Sequence, residues 1–178
     1  MRFTAICLTA LCAVLSSVSF SARAEEGAKK KFKVLVLTQS KGFMHGSVRR
    51  PAPGVLAPCE IALTKIGTES GLFDVECTQD ASVLTAAKLK ELDAVFFYTT
   101  GALPISEPDF GALLEWLKSG KGFVGAHSAT DTFGNFKPYF ELINGTFAGH
   151  PWGSGTKVTI TNHEPTHPIV AMWEPEFQ

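Results

Sequence analysis

The chain alternates short apolar runs with amphipathic stretches. Five runs are rich in β-branched and aromatic residues: 32–38, 73–78, 94–99, 122–126 and 156–161. Runs of that length and makeup predict strands. The first, third and fourth are nearly continuous apolar segments, the pattern of strands covered on both faces. Four helix candidates lie between and after them: 58–69, 85–92, 106–119, and one from 138 to 145 or 147. In the first, Ile61, Leu63 and Ile66 have a roughly helical spacing and Gly71 follows as a stop; Thr85 is placed to cap the second. The third opens on Ser106-Glu107-Pro108-Asp109, a serine cap, an acidic first turn and an early proline. Phe110, Leu113, Leu114 and Leu117 then fall at i, i+3, i+4 and i+7, a buried stripe, before Gly120 ends it.

Strands alternating with helices imply a parallel sheet with right-handed crossovers. The predicted class is α/β: a three-layer, doubly wound, mostly parallel sheet with flavodoxin-like strand order. After the fifth run, Asn162 to Pro168 predicts a loop, and Ile169 to Gln178 carries no closing helix. The domain expected over 32–178 is therefore expected to be C-terminally incomplete.

The first residues follow a different pattern. Arg2 precedes a mostly apolar, small-residue stretch, and Ala22-Arg-Ala24 has the small-x-small form of a cleavage site. Residues 1–24 thus predict a secretory signal peptide, and residues 25–31 a lead-in to the first strand. Export to a periplasmic or extracellular space is the expected localisation, with no stable membrane span after cleavage. Serines 16, 17 and 19 interrupt the apolar stretch, and a spanning helix needs roughly 20 firmly apolar residues.

Removing Arg2 and Arg23 leaves 14 basic against 17 acidic side chains, a net charge of −3. Lys29 to Lys33 is the one basic run that survives, so nucleic acid is not an expected partner. Two of the four cysteines, Cys59 and Cys77, lie beyond the cleavage site. They form no CxxC pair and no zinc-ribbon spacing. Export permits one disulfide between them; the alternative is two independent buried thiols.

Candidate chemistry gathers at the predicted strand ends. The run Phe123 to Ala126 stops at His127, Ser128, Thr130 and Asp131, with Gly125, Ala126 and Ala129 around the histidine. That is the sequence of a buried strand ending in a sharp turn that lifts one side chain above the carboxyl edge of the sheet, where ligands of open α/β sheets bind. Gln39 to Ser47, Tyr98 to Gly101 and Gly149 to Gly153 are glycine-containing polar loops that belong to the same rim or fold over it. His45, His127 and His150 are candidates for general acid/base chemistry or for binding a divalent metal such as zinc, although no HxH or HExxH spacing supports the metal. Ser128 is a candidate nucleophile, but adjacent residues on a turn usually point apart, so His127 is a poor base for it. Asp131 either orients a histidine or caps the following turn. Thr99, Thr100 and Gly101 either offer donors to a substrate oxygen or simply end a strand. Trp152 either stacks on a sugar ring or belongs to the core.

At these residues the chain resembles the trehalose-utilisation (ThuA-like) family. The matching segments are Lys33 to Leu37 with Gly42-Phe-Met-His-Gly-Ser47, Leu92 to Phe97 with Thr99-Thr-Gly101, Gly120 to Asp131, and Phe147-Ala-Gly-His-Pro-Trp152. His163 to Pro168 resembles a later family segment. The resemblance implies a class I glutamine amidotransferase-like fold in which His127 stands where those enzymes carry a cysteine nucleophile. Glutaminase activity is then not expected. The resemblance implies instead a role in carbohydrate metabolism, on trehalose or on 3-keto sugars, with a small-molecule carbohydrate as partner. Whether the chain is a hydrolase or isomerase-type enzyme, a non-catalytic sugar-binding or scaffold module, or a divergent amidohydrolase using Ser128 stays open at this level, as does its oligomeric state.

Overall fold

Four parallel strands build the central sheet: β1 (Phe32–Leu37), β2 (Phe73–Thr78), β3 (Ala94–Phe97) and β4 (Gly122–Gly125), in the order β2-β1-β3-β4. The computed structural model describes residues 30–134, 136–153 and 155–178. The signal-peptide expectation for 1–24 lies outside the described residues. Helices connect the strands: α1 (Pro58–Ser70), α2 (Ala86–Leu89), α3 (Glu107–Lys118) and, after β4, α4 (Lys137–Ile143). No helix among the described residues is long and apolar enough to cross a membrane.

Side-chain alternation along β1 divides the core. Leu35 and Leu37 point to one face and Val36 to the other, and all three are fully buried. The first face carries the main cluster. There Leu35, Leu37, Val95 and Phe97 pack with Leu89 of α2, Phe110 and Leu113 of α3, and Tyr139 of α4. The stripe predicted on α3 is the one that packs: Phe110 and Leu113 are buried, and Leu114 and Leu117 lie against the cluster. Ser106 caps this helix, its hydroxyl accepting from the Asp109 amide. On α2 the Thr85 hydroxyl does the same for the Lys88 amide.

α1 packs differently from the expected stripe. Ile61 and Ile66 are half exposed, and the buried residues are Glu60 and Gly67. At Gly67 the helix comes so close to β2 that a Cβ would lie 2.6 Å from the Phe73 carbonyl oxygen. Gly71, in the left-handed region at φ 66°, ends the helix.

Two strand expectations are corrected. β4 is an edge strand, with Val124 and Gly125 exposed, rather than one covered on both faces. The fifth run does not join the parallel sheet. Only Ile160–Thr161 (β5) is strand, paired antiparallel with Glu176–Phe177 (β6) in a separate two-stranded sheet. A short apolar run specifies an extended segment but not the partner it pairs with. The cysteines are both free and partly buried, Cys59 on α1 and Cys77 on β2, so the disulfide alternative is not formed.

Candidate functional site

The turn after β4 opens on an uncommon backbone conformation. His127 has φ 48°, a left-handed conformation uncommon for a non-glycine residue and held here by its surroundings. The imposing contacts are visible on both sides. The Ala126 amide donates to the Phe97 carbonyl at 2.9 Å, keeping the chain on the sheet up to the bend, and a short 3-10 turn (His127–Asp131) begins immediately after it. Inside the turn Ser128 and Ala129 are buried, while the His127 side chain is exposed above the rim.

Neighbouring loops are stitched to this turn through main-chain groups. The Lys41 amide donates to the Thr100 carbonyl (2.8 Å), the Gly101 amide to the Asp131 carbonyl (2.8 Å), and the Phe147 amide to the Thr130 carbonyl (3.0 Å). The Thr100 hydroxyl donates to the Phe43 carbonyl at 2.9 Å and accepts from the Gly42 amide at 3.3 Å. Gly101 is required at φ 72°: a Cβ there would sit 2.6 Å from the Gly42 nitrogen. Loops distant in sequence are thereby held in register around one opening.

That opening is a cleft of about 360 Å³. His45, His127, His150 and Asp131 line it, with Phe43 and Phe147 among the other wall residues. The rings of His45 and His127 meet edge to face, centroids 4.5 Å apart, and Tyr98 lies against both, at 5.9 and 5.4 Å. The Ser47 hydroxyl donates to Tyr98 Oη at 2.7 Å, fastening the 3-10 turn at Gly46–Val48, just after His45, to the end of β3. Burial, then the nearby His127 and His150, push the His45 imidazole below its ordinary value, with Asp131 acting in the opposite sense. His45 is therefore biased toward its neutral form, able to accept a proton at one ring nitrogen while donating a hydrogen bond from the other.

The His45 loop has a second anchor. Glu60, fully buried in the first turn of α1, accepts two bonds from Arg50 Nε (3.2 and 2.9 Å), one from Arg50 Nη2 (2.9 Å), one from Thr38 Oγ1 (2.6 Å) and one from the Ala57 amide (2.8 Å). Gln79 Nε2 donates to the Val48 carbonyl at 2.7 Å. The chain around His45 is pinned at Ser47, Val48 and Arg50.

Several residues singled out from the sequence are committed elsewhere. Thr99 is fully buried, with its hydroxyl 2.7 Å from that of Thr132, and Thr100 is buried in its bonds to the Gly42–Phe43 backbone. The Gly101 amide is taken by Asp131, so these three stitch loops together rather than presenting donors to the cleft. Ser128 borders the cleft, but its hydroxyl donates to the Thr99 carbonyl at 3.1 Å, which leaves it poorly set up as a nucleophile. Trp152 is 63% exposed and belongs neither to the core nor to the cleft wall. His45, His127 and His150 share the cleft, yet among the described residues no three His, Cys, Asp or Glu side chains are grouped so as to hold a metal ion. His45 and His127 contact each other edge to face.

Phe43 and Phe147 of the cleft wall were not among the sequence candidates. A signal was present: Phe43 precedes His45 by two residues and Phe147 precedes His150 by three, in the same glycine-containing loops. The rings contact those histidines, both at 4.9 Å between centroids.

Among solved structures the fold is similar to that of a ThuA-like protein from Bacteroides uniformis, with a TM-score of 0.62 at 20% identity. The match covers 82% of this chain and 57% of that one, so the chain spans little more than half the length of that relative. No curated protein matches the chain. Residues 33–178 match the ThuA family, trehalose utilisation, and the chain belongs to that family.

Proposed function

We propose that this chain is an exported enzyme of carbohydrate metabolism that moves protons on trehalose, a 3-keto sugar or a related derivative, in a hydrolase or isomerase-type reaction. The observation that carries this reading is the strained His127, whose ring stands 4.5 Å from that of His45 in a cleft shared with His150 and Asp131. Two imidazoles at that spacing suit the two halves of acid/base catalysis. One takes a proton from the substrate while the other returns one to the leaving or carbonyl oxygen. A neutral His45 fits the proton-accepting half, the returning half requires an imidazolium, and Asp131 supplies a carboxylate to orient or stabilise that imidazolium.

The same geometry argues against glutaminase chemistry. An imidazole at the elbow cannot form a glutamyl thioester. Cys59 and Cys77 lie on α1 and β2 rather than on the cleft wall, and burial pushes both thiols up, away from the reactive thiolate. Export rests on the pattern of residues 1–24 and is checked by the N-terminus of the secreted protein, expected near Glu25.

The test is His127→Ala assayed on trehalose and 3-keto-glycosides. Turnover is expected to fall by about 10²- to 10⁴-fold with the fold intact; unchanged turnover rejects the assignment. A second reading, a non-catalytic sugar-binding module, is favoured by the exposed Phe43 and Phe147 on the cleft wall. Binding without turnover by the parent protein would select it.

A further inference from the structure

Phe43 is 70% exposed and Phe147 44% exposed, an unfavourable state for two large apolar rings. Both line the same cleft, they arise from loops more than 100 residues apart, and each rests on an imidazole. Other exposed apolar side chains, such as Ile61 and Ile66 on α1, border no such polar cluster. Exposed aromatic faces beside convergent polar groups are the makeup of a site for an amphipathic small molecule. A pyranose ring has that character, with an apolar C–H face and hydroxyls around its edge.

Charge narrows the class further. Among the described residues lining the cleft there is no Lys or Arg, and Asp131 contributes a carboxylate. Phosphate and carboxylate ligands are ordinarily held by guanidinium or ammonium groups. Here burial and the neighbouring His127 and His150 bias His45 toward its uncharged form.

Building on the carbohydrate reading above, we infer that the cleft selects an unphosphorylated pyranose, seated through its C–H face on Phe43 and Phe147 while its hydroxyls meet His45, His127 and His150. The phenylalanines are then specificity-determining residues, and a phosphorylated sugar is excluded because its dianion would meet Asp131 with no fixed cation to balance it.

The experiment is calorimetric titration of the full chain at neutral pH with trehalose, its 3-keto derivative and trehalose 6-phosphate. At least one unphosphorylated ligand is expected to bind, with trehalose 6-phosphate at least about tenfold weaker. Phe43→Ala and Phe147→Ala are each expected to weaken sugar binding by about tenfold, while Phe43→Tyr and Phe147→Tyr retain it. Thermal unfolding should be little changed, since neither ring is in the core. Trehalose 6-phosphate binding as tightly as the unphosphorylated sugars overturns the inference. Sugar binding that is indifferent to both alanine substitutions overturns it too, and leaves the carbohydrate reading standing. A folded parent that binds none of the three removes both.

Discussion

The imidazoles of His45 and His127 meet edge to face with their centroids 4.5 Å apart, although 81 positions separate them in the chain. The contact joins the loop after β1 to the bend after β4, and it has an electrostatic consequence. Burial first, and then His127 and His150, hold the His45 imidazole below its ordinary value of 6.5, against the pull of Asp131. Near and just below that value the unfolded chain binds more protons than the folded one. Stability therefore rises with pH through this window and is lost as pH falls below about 6.5. His45→Gln should flatten that dependence when thermal midpoints are compared between about pH 7.5 and 5.5. Parallel curves for parent and variant would contradict the account.

The close approach of Gly101 to the Lys41–Gly42 backbone predicts an intolerant position. Alanine there combines an unfavourable φ of 72° with a Cβ 2.6 Å from the Gly42 nitrogen and 2.7 Å from the Lys41 carbonyl carbon, so backbone must move. Gly101→Ala should cost about 1–3 kcal/mol in urea denaturation. It should also reduce activity more than an exposed glycine substitution such as Gly111→Ala, because the loop it displaces carries Phe43 and His45.

Glu60 is fully buried and accepts five hydrogen bonds. Burial alone would push its carboxyl up, but the bonds from Arg50, Thr38 and the Ala57 amide outweigh that and hold it below its ordinary value of 4.5. Its stabilisation is present above that value and is lost as pH falls through the depressed one. Glu60→Ala strands the Arg50 cation and two further donors, and should cost about 3 kcal/mol in chemical denaturation at neutral pH. A cost below about 1 kcal/mol, the size of a surface pair, would show that the clamp is not what anchors the chain after His45.

Ser47 and Tyr98 form a smaller test of the same loop. Ser47→Ala and Tyr98→Phe each remove the one 2.7 Å hydrogen bond between them. Each should cost about 1 kcal/mol, and the double variant no more than either single one. Nuclear Overhauser contacts between the rings of His45 and His127 should weaken in both. Fully additive costs would mean that the two side chains act independently.

The legible parts of this protein were those encoded locally. The α3 stripe at Phe110, Leu113, Leu114 and Leu117, its Ser106 cap, the cap at Thr85 and the four parallel strands all follow from side-chain periodicity and hydrogen-bonding chemistry within a few residues. The bend at His127 was legible for the same reason, since an apolar strand gives way to small and polar residues there. Three histidines on candidate rim loops could be named as well.

Contacts between distant segments were not legible. Whether Thr99, Thr100 and Gly101 face a substrate or one another's loops depends on partners 30 or more residues away, as with the bond between the Thr99 and Thr132 hydroxyls. Strand partnership was equally hidden: residues 160–161 look extended, but nothing local says that they pair with 176–177 instead of with β4.

By itself, the sequence determined the α/β class, the element types and the position of the bend, because these depend on the alternation of apolar and polar side chains and on turn-forming residues close together in the chain. Only the tertiary structure decided which side chains share the cleft, which hydroxyls are spent on stitching loops, and that two phenylalanines stand on its wall. Those outcomes are set by the three-dimensional approach of segments that no short-range pattern relates.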